Sequence, residues 1–348
     1  MYLPRNETLE KRMAKQIFDT LKKEISGMML ESPLSEVTRL ALLPISYFSL
    51  PNYAQLEITT RCNLHCQTCI RPKETNSDMS VELYKSIIDQ LKWRVLRNRR
   101  VDLTGLGEPL LNPNLPCMVR YAKGHDFNVS FTSNFTLINS NHAINLIKAG
   151  LDSLYISFDG ATEQTFESIR TGASYKKVVD NIKLFAETRK HLNSGIPKLV
   201  FMSTISPSNA AEIPQLIGLA ESLGIDGIDL FKQIIPEKEC VNNLSISQYV
   251  EGMSNDKVEI HAVCLDKPPQ FCTAVMGCYI TFDGKVLPCG ALIQMIPREQ
   301  YSRFQFGDLK RNSFSDIWFS NSYRQFRTRI ILGKHPPLCR SCPMYRSD

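Results

Sequence analysis

One pattern limits the fold more than any other feature. From residue 53 to residue 234, short stretches that alternate like strands are separated by longer stretches with helical spacing. "YAQLEITT" (53–60), "RVDLTGLGEP" (100–109), "FNVSFTS" (127–133), "SLYISFDG" (153–160), "KLVFMSTIS" (198–206) and "GIDLFKQI" (227–234) read as strands. "MSVELYKSIIDQL", "YKKVVDNIKLFAETRKHL" and "NAAEIPQLIGLAESLG" read as helices between them. Six β/α units predict a parallel sheet, either open and doubly wound or curled into a partial barrel. In such barrels chemistry sits at the carboxyl ends of the strands, so polar residues just after each strand are the candidates.

The flanks differ. Residues 7–30 carry apolar side chains at helical spacing and predict an amphipathic helix that packs on the main body. After about residue 240 the repeat stops, and the chain becomes loop-rich and cysteine-rich, with one helix expected over "SFSDIWFSNSYRQFRTRII". The expected organisation is a helical extension (1–51), a β/α body (52–245) and a small metal-stapled domain (246–348).

A chain of 348 residues buries a core without disulfides. The start is polar, unlike a signal peptide, and the run "LALLPISYFSLP" is short and interrupted by Pro44 and Pro51. A soluble cytoplasmic protein follows, with no transmembrane segment and no nucleic-acid partner expected. In a reducing compartment, eleven cysteines read as metal or catalytic groups rather than disulfides. Cys117 stands alone and is expected to be a small buried hydrophobe. Residues 291–348 hold ten Lys/Arg and four Asp/Glu, a surplus equal to the whole net charge of +6. That bias is either a solvated face or a site for an anionic substrate, cluster or partner.

"CNLHCQTC" places Cys62, Cys66 and Cys69 directly after the first strand, at a C-x3-C-x2-C spacing with no fourth cysteine nearby. Three thiolates hold three irons of a [4Fe–4S] cluster and leave the fourth iron open to a non-protein ligand. Alone, the spacing fits zinc equally, with His65 or a distant residue as the fourth ligand. In its place after the first strand of a β/α repeat, it resembles the radical S-adenosylmethionine (SAM) superfamily. The resemblance implies a partial (β/α)6 TIM-like barrel. It also implies a cluster whose open iron binds the methionyl part of SAM and cleaves it to a deoxyadenosyl radical that removes hydrogen from a substrate.

Further residues resemble the same family. "TGLGEP" supplies Thr104, Gly105, Gly107 and Glu108, with Glu108 implied to accept hydrogen bonds from the SAM amino group. Ser133 and Asn134, in "TSN" with Thr132, fall where the family contacts the ribose. Ser157 and Asp159, in "SFDG", occupy polar positions after the fourth strand, and Arg170 matches an arginine that clamps the SAM carboxylate. Each also reads as a turn or helix-cap residue. Thr68 departs from the aromatic residue usual before the third cysteine, which leaves adenine packing to Ile70 or to later strands.

A second group resembles the SPASM domain, in its shortened twitch form. Cys272, Gly284 and Cys289 follow the C-x9–15-G-x4-C pattern, and Cys339 and Cys342 close the set as C-x2-C. With only six residues after Cys342, one auxiliary [4Fe–4S] cluster is implied, its four ligands leaving no open iron. The alternative is a zinc knot. Cys240, Cys264 and Cys278 are left over, as substitute ligands or as packing.

The resemblance implies a dehydrogenase-like oxidoreductase acting on a small molecule such as a sugar or cyclitol, with flavodoxin or ferredoxin as electron donor; the basic bias adds the option that this molecule is anionic. The alternative is a peptide- or protein-modifying maturase. A reading from another class is a zinc-bound, non-catalytic binding protein. No catalytic acid or base stands out.

Overall fold

The computed structural model describes residues 51–67, 69–71, 76–92, 99–233, 246–250, 258–263, 272–340 and 342. The expected helix over 7–30, Thr68, Cys240 and Cys264 lie outside them.

Strands and helices alternate as the sequence requires. β1 (Tyr53–Leu56) leads to α1 (Val81–Leu91), β2 (Arg100–Asp102) to α2 (Leu115–Lys123), and β3 (Asn128–Ser133) to α3 (Ser140–Ala149). β4 (Ser153–Ser157) is followed by α4 (Glu163–Ile169) and α5 (Tyr175–His191), β5 (Lys198–Ile205) by α6 (Ile213–Ser222), and then comes β6 (Gly227–Lys232). Several helices start on side-chain caps: Ser80 accepts from the Leu83 amide and Asn139 from the His142 amide. α3 ends on Gly150 at φ 82°, a left-handed conformation that glycine adopts without strain. α1 buries Tyr84, Ile87, Ile88 and Leu91 against the sheet, the residues its helical period puts on one face.

Strands β1 to β6 pair in sequence order, all parallel. A seventh parallel strand, β7 (Glu259–Val263), extends the row beside β6. The expectation that the repeat ends near residue 240 therefore stops one strand short. The C-terminal region joins the same sheet at its other side. β8 (Gly277–Ile280) lies parallel to β1, β9 (Lys285–Leu287) antiparallel to β8, and β10 (Gly307–Asp308) antiparallel to β9. The order is β10-β9-β8-β1-β2-β3-β4-β5-β6-β7, a partial barrel whose two edges do not meet.

The single helix expected over 313–331 is two: α7 (Phe314–Trp318) and α8 (Asn321–Ile331), broken where Ser320 caps α8 by accepting from the Tyr323 amide. Cys117 is exposed, not buried. α2 turns Leu115, Met118, Val119 and Ala122 inward, and Cys117 falls off that face.

The core lies between the convex face of the sheet and the helices, where Val101, Leu103, Val129, Phe131, Leu154 and Ile156 are wholly buried. Parallel strands covered on both faces read as apolar runs. These strands instead alternate, with Gln55, Asp102, Thr104, Ser130, Thr132 and Tyr155 at the intervening positions, which places polar side chains on the concave face. Among the described residues, no helix is long and apolar enough to cross a membrane.

Candidate active site

The three-cysteine loop leaves β1 and is tied down from three sides. The His65 and Gln67 amides donate to the Thr171 and Ile169 carbonyls at 3.1 and 3.2 Å, docking the loop on the end of α4. The Glu108 amide donates to the Arg61 carbonyl at 2.7 Å. Asn134 Nδ2 donates to Asn63 Oδ1 at 3.0 Å and lies 3.9 Å from Cys62 Sγ. Gly107 is needed for this approach: a Cβ there would fall 2.3 Å from the Thr59 carbonyl oxygen. Cys62 and Cys66 are half-buried and Cys69 is exposed.

Glu108 is 2% exposed and gathers three donors. Oε1 accepts from the Leu110 amide at 3.2 Å and the Ser133 hydroxyl at 2.8 Å, and Oε2 from the Asn134 amide at 2.7 Å. Burial pushes its carboxyl up to about 7, and these hydrogen bonds work against that rise. Glu108 thus staples the loop after β2 to the loop after β3. Asp159, 1% exposed, accepts from the Thr204 amide at 2.7 Å and pairs with Arg170 Nε at 2.5 Å. Arg170 also faces the Cys66 thiol, where it opposes the upward push of burial. Thr104 Oγ1 accepts from the Thr132 amide at 2.9 Å. Ser157 is buried on β4, and Gly105 packs so closely on Glu57 that a Cβ would meet its Cγ at 2.5 Å. The residues singled out after β1 to β4 therefore gather at one end of the barrel. Asn134 contacts the loop at Cys62 and Arg170 contacts it at Cys66.

The other four cysteines also gather. Burial pushes Cys272, Cys289 and Cys339 each up to about 12. Cys272 feels the charge of Cys339 and Cys342, Cys289 that of Cys272 and Cys342, and Cys339 that of Cys289 and Cys342. Thiolates crowded together in an apolar setting need a cation among them, so this donor set fits a metal cluster. Cys278 stands apart, 1% exposed in the core below Arg327. Among the described residues, no three His, Cys, Asp or Glu side chains converge as they would on one metal ion. A cluster takes one thiolate per iron and accepts wider spacing.

Comparison with known proteins decides the family. Residues 56–218 match the model of the Radical SAM superfamily, and residues 272–343 match an iron–sulfur cluster-binding domain, SPASM. The chain is a radical SAM protein with a SPASM domain. Radical SAM proteins bind SAM on a [4Fe–4S] cluster, and the SPASM domain adds auxiliary iron–sulfur binding. The chain is 26% identical to the tungsten-containing aldehyde ferredoxin oxidoreductase cofactor-modifying protein of Pyrococcus furiosus, over 84% of this chain and 87% of that protein. It is also 26% identical to the PqqA peptide cyclase of Gluconobacter oxydans, over 84% of this chain and 82% of that protein. In fold it is similar to Streptococcus suis SuiB bound to S-adenosylmethionine, with a TM-score of 0.66 at 16% identity, covering 92% of this chain and 79% of that one.

Sequence reasoning missed two groups in this radical SAM barrel. Glu57, 0% exposed, bonds to Arg298 of the C-terminal region beside Tyr279 and Tyr301. Asp102, Tyr155 and Asp229 line the concave face. Their signal was present in the strand alternation, where Gln55 and Glu57, Asp102 and Thr104, and Asp229 share the inward parity.

Proposed function

We propose that the protein is a peptide- or protein-modifying radical SAM enzyme. Cys62, Cys66 and Cys69 hold the SAM-binding cluster; Cys272, Cys289, Cys339 and Cys342 hold an auxiliary cluster. When bound, the cluster and SAM supply the radical that takes a hydrogen atom from the substrate. The chain's residues do the positioning. Glu108 offers its remaining lone pair to the SAM amino group, with Ser133 and Asn134 fixing its rotamer. Thr104, Gly105 and Gly107 shape the loop that lets SAM approach. Asp159 orients Arg170 beside Cys66, and Ser157 lines the same rim.

The observation that carries the peptide reading is the resemblance to PqqA peptide cyclase, which runs through both the barrel and the SPASM domain. The open concave face suits it, since a sheet whose edges do not meet can admit an extended chain from the side. The small-molecule oxidation favoured from the sequence gives way for that reason. The basic C-terminal bias is divided: Arg298 pairs with Glu57 and Arg327 is buried against Trp318, while Arg303, Lys310, Arg311, Arg329 and Lys334 are exposed.

The test is hydrogen transfer. Anaerobically reconstituted enzyme is given a peptide library with deuterated side chains, and deoxyadenosine is weighed by mass spectrometry. Deuterium in deoxyadenosine supports the reading. Deuterium arriving only from a labelled sugar or cyclitol would restore the small-molecule dehydrogenase.

A further inference from the structure

We propose that Asp102, on the concave face of the barrel, selects a substrate through a cationic amine or guanidinium group. The choice of a lysine or arginine side chain as carrier of that cation rests on the peptide reading; the charge preference does not.

β2 fixes the direction of the side chain. Val101 and Leu103 are wholly buried under the helices, so Asp102 between them faces the concave side. Oδ2 accepts from the Ser130 hydroxyl at 2.8 Å. Oδ1 is buried and has no hydrogen-bond partner. The Thr104 hydroxyl and amide lie near enough to ease the ionised form but are not aligned to satisfy Oδ1. A buried carboxylate oxygen left in this way is costly, and a donor brought by a ligand or a water would remove that cost.

The surroundings favour a positive ligand. Tyr53 and Tyr155 both feel Asp102, and Tyr155 also feels Asp229, so the two carboxylates share one stretch of the concave face. Asp229 pairs with His261 at 3.1 Å, and His261 turns its other nitrogen to Glu259 at 3.0 Å. Arg100 is exposed, and its charge reaches both Asp102 and Asp229 and eases their ionised forms, so it is the cation already in place there. Glu57 adds nothing to the balance because Arg298 neutralises it. Asp102, Asp229 and Glu259 therefore outnumber Arg100 and His261. Burial holds the Asp102 carboxyl above its ordinary range, and an arriving ammonium or guanidinium would restore the ionised form through charge-assisted hydrogen bonds. Asp102 lies two residues before Thr104 on the same face, below the glycine loop. A cation held there leaves the rest of the substrate between Asp102 and the SAM-binding residues.

The test uses reconstituted full-length protein with SAM and four probes: Ac-Ala-Lys-Ala-NH2, its norleucine counterpart, n-butylammonium and n-butanol. Calorimetry should show each cationic probe binding about tenfold or more tighter than its neutral partner. Asp102→Asn should shrink that gap to about twofold or less, with SAM affinity unchanged and the melting temperature at or above that of wild type. If Asp102→Asn does not fold, Asp102→Ser takes its place. Equal binding within each pair, a gap that survives loss of the carboxylate, or no binding of any probe would overturn the proposal. A gap for n-butylammonium with neither tripeptide bound would sink the peptide reading and leave the Asp102 assignment standing.

Discussion

Glu108 carries two assignments, a staple between two loops that its hydrogen bonds show and a SAM contact that we propose. Its motif named it as a SAM contact, while the structure shows three of its acceptor positions occupied by Leu110, Ser133 and Asn134. Glu108→Gln should therefore fail in two separable ways. SAM affinity should fall about tenfold or more, from the loss of a charge-assisted hydrogen bond worth about 1.5–3 kcal/mol. Stability without SAM should fall by about 1–3 kcal/mol, because the amide cannot accept on both sides as the carboxylate does. Binding titration and denaturant melts check the two independently, and unchanged SAM affinity with lowered stability would leave Glu108 a staple only. The sequence showed Glu108 but not the staple. A hydrogen bond between residues 108 and 133 depends on how β2 and β3 sit side by side, which no local pattern encodes.

At the scale of the element, strand order and the loop ends were legible because period and turn chemistry are local. The strand ends were not: β1 was read as 53–60 and stops at Leu56, since pairing with β2 and β8 decides where a strand ends. The break at Ser320 was hidden inside an otherwise helical pattern, although a serine before "NSYRQF" is a capping signal. β7 needed the packed structure, whereas the exposure of Cys117 follows from the helical period of α2. The Asp159–Arg170 rim has its own support, legible only in three dimensions. Glu212, just before α6, accepts from the Ala161 and Thr162 amides at 2.7 and 3.2 Å and from the Thr162 and Thr165 hydroxyls. Burial raises its carboxyl, but these hydrogen bonds more than offset it, and the net shift is downward. A carboxyl lowered by folding stabilises above its unfolded value, and that stability is lost as pH falls through the folded value. The melting-temperature gap between wild type and Glu212→Gln should be full at pH 7 and close as pH drops below about 4. A gap that stays constant down to pH 3 would contradict this account of Glu212.

At the scale of the whole molecule, the barrel and the SPASM region are one sheet, and a buried ion pair crosses between them. Arg298→Met leaves Glu57 buried without its charge partner, which should cost about 3–5 kcal/mol. Adding Glu57→Gln to Arg298→Met should recover most of that loss in thermal melts, and equal instability of the single and double variants would show that the contact matters for shape rather than charge. The same arrangement takes Arg298 out of the basic surplus of the C-terminal region, because its charge is used inside the molecule. The central claim is that the loop after β1 holds the SAM-cleaving cluster while the four C-terminal cysteines hold a separate one. Deoxyadenosine formation by anaerobically reconstituted Cys62→Ala/Cys66→Ala/Cys69→Ala protein tests it most directly. The account predicts no deoxyadenosine from a variant that keeps about half of the roughly eight irons of wild type; deoxyadenosine from that variant would contradict it.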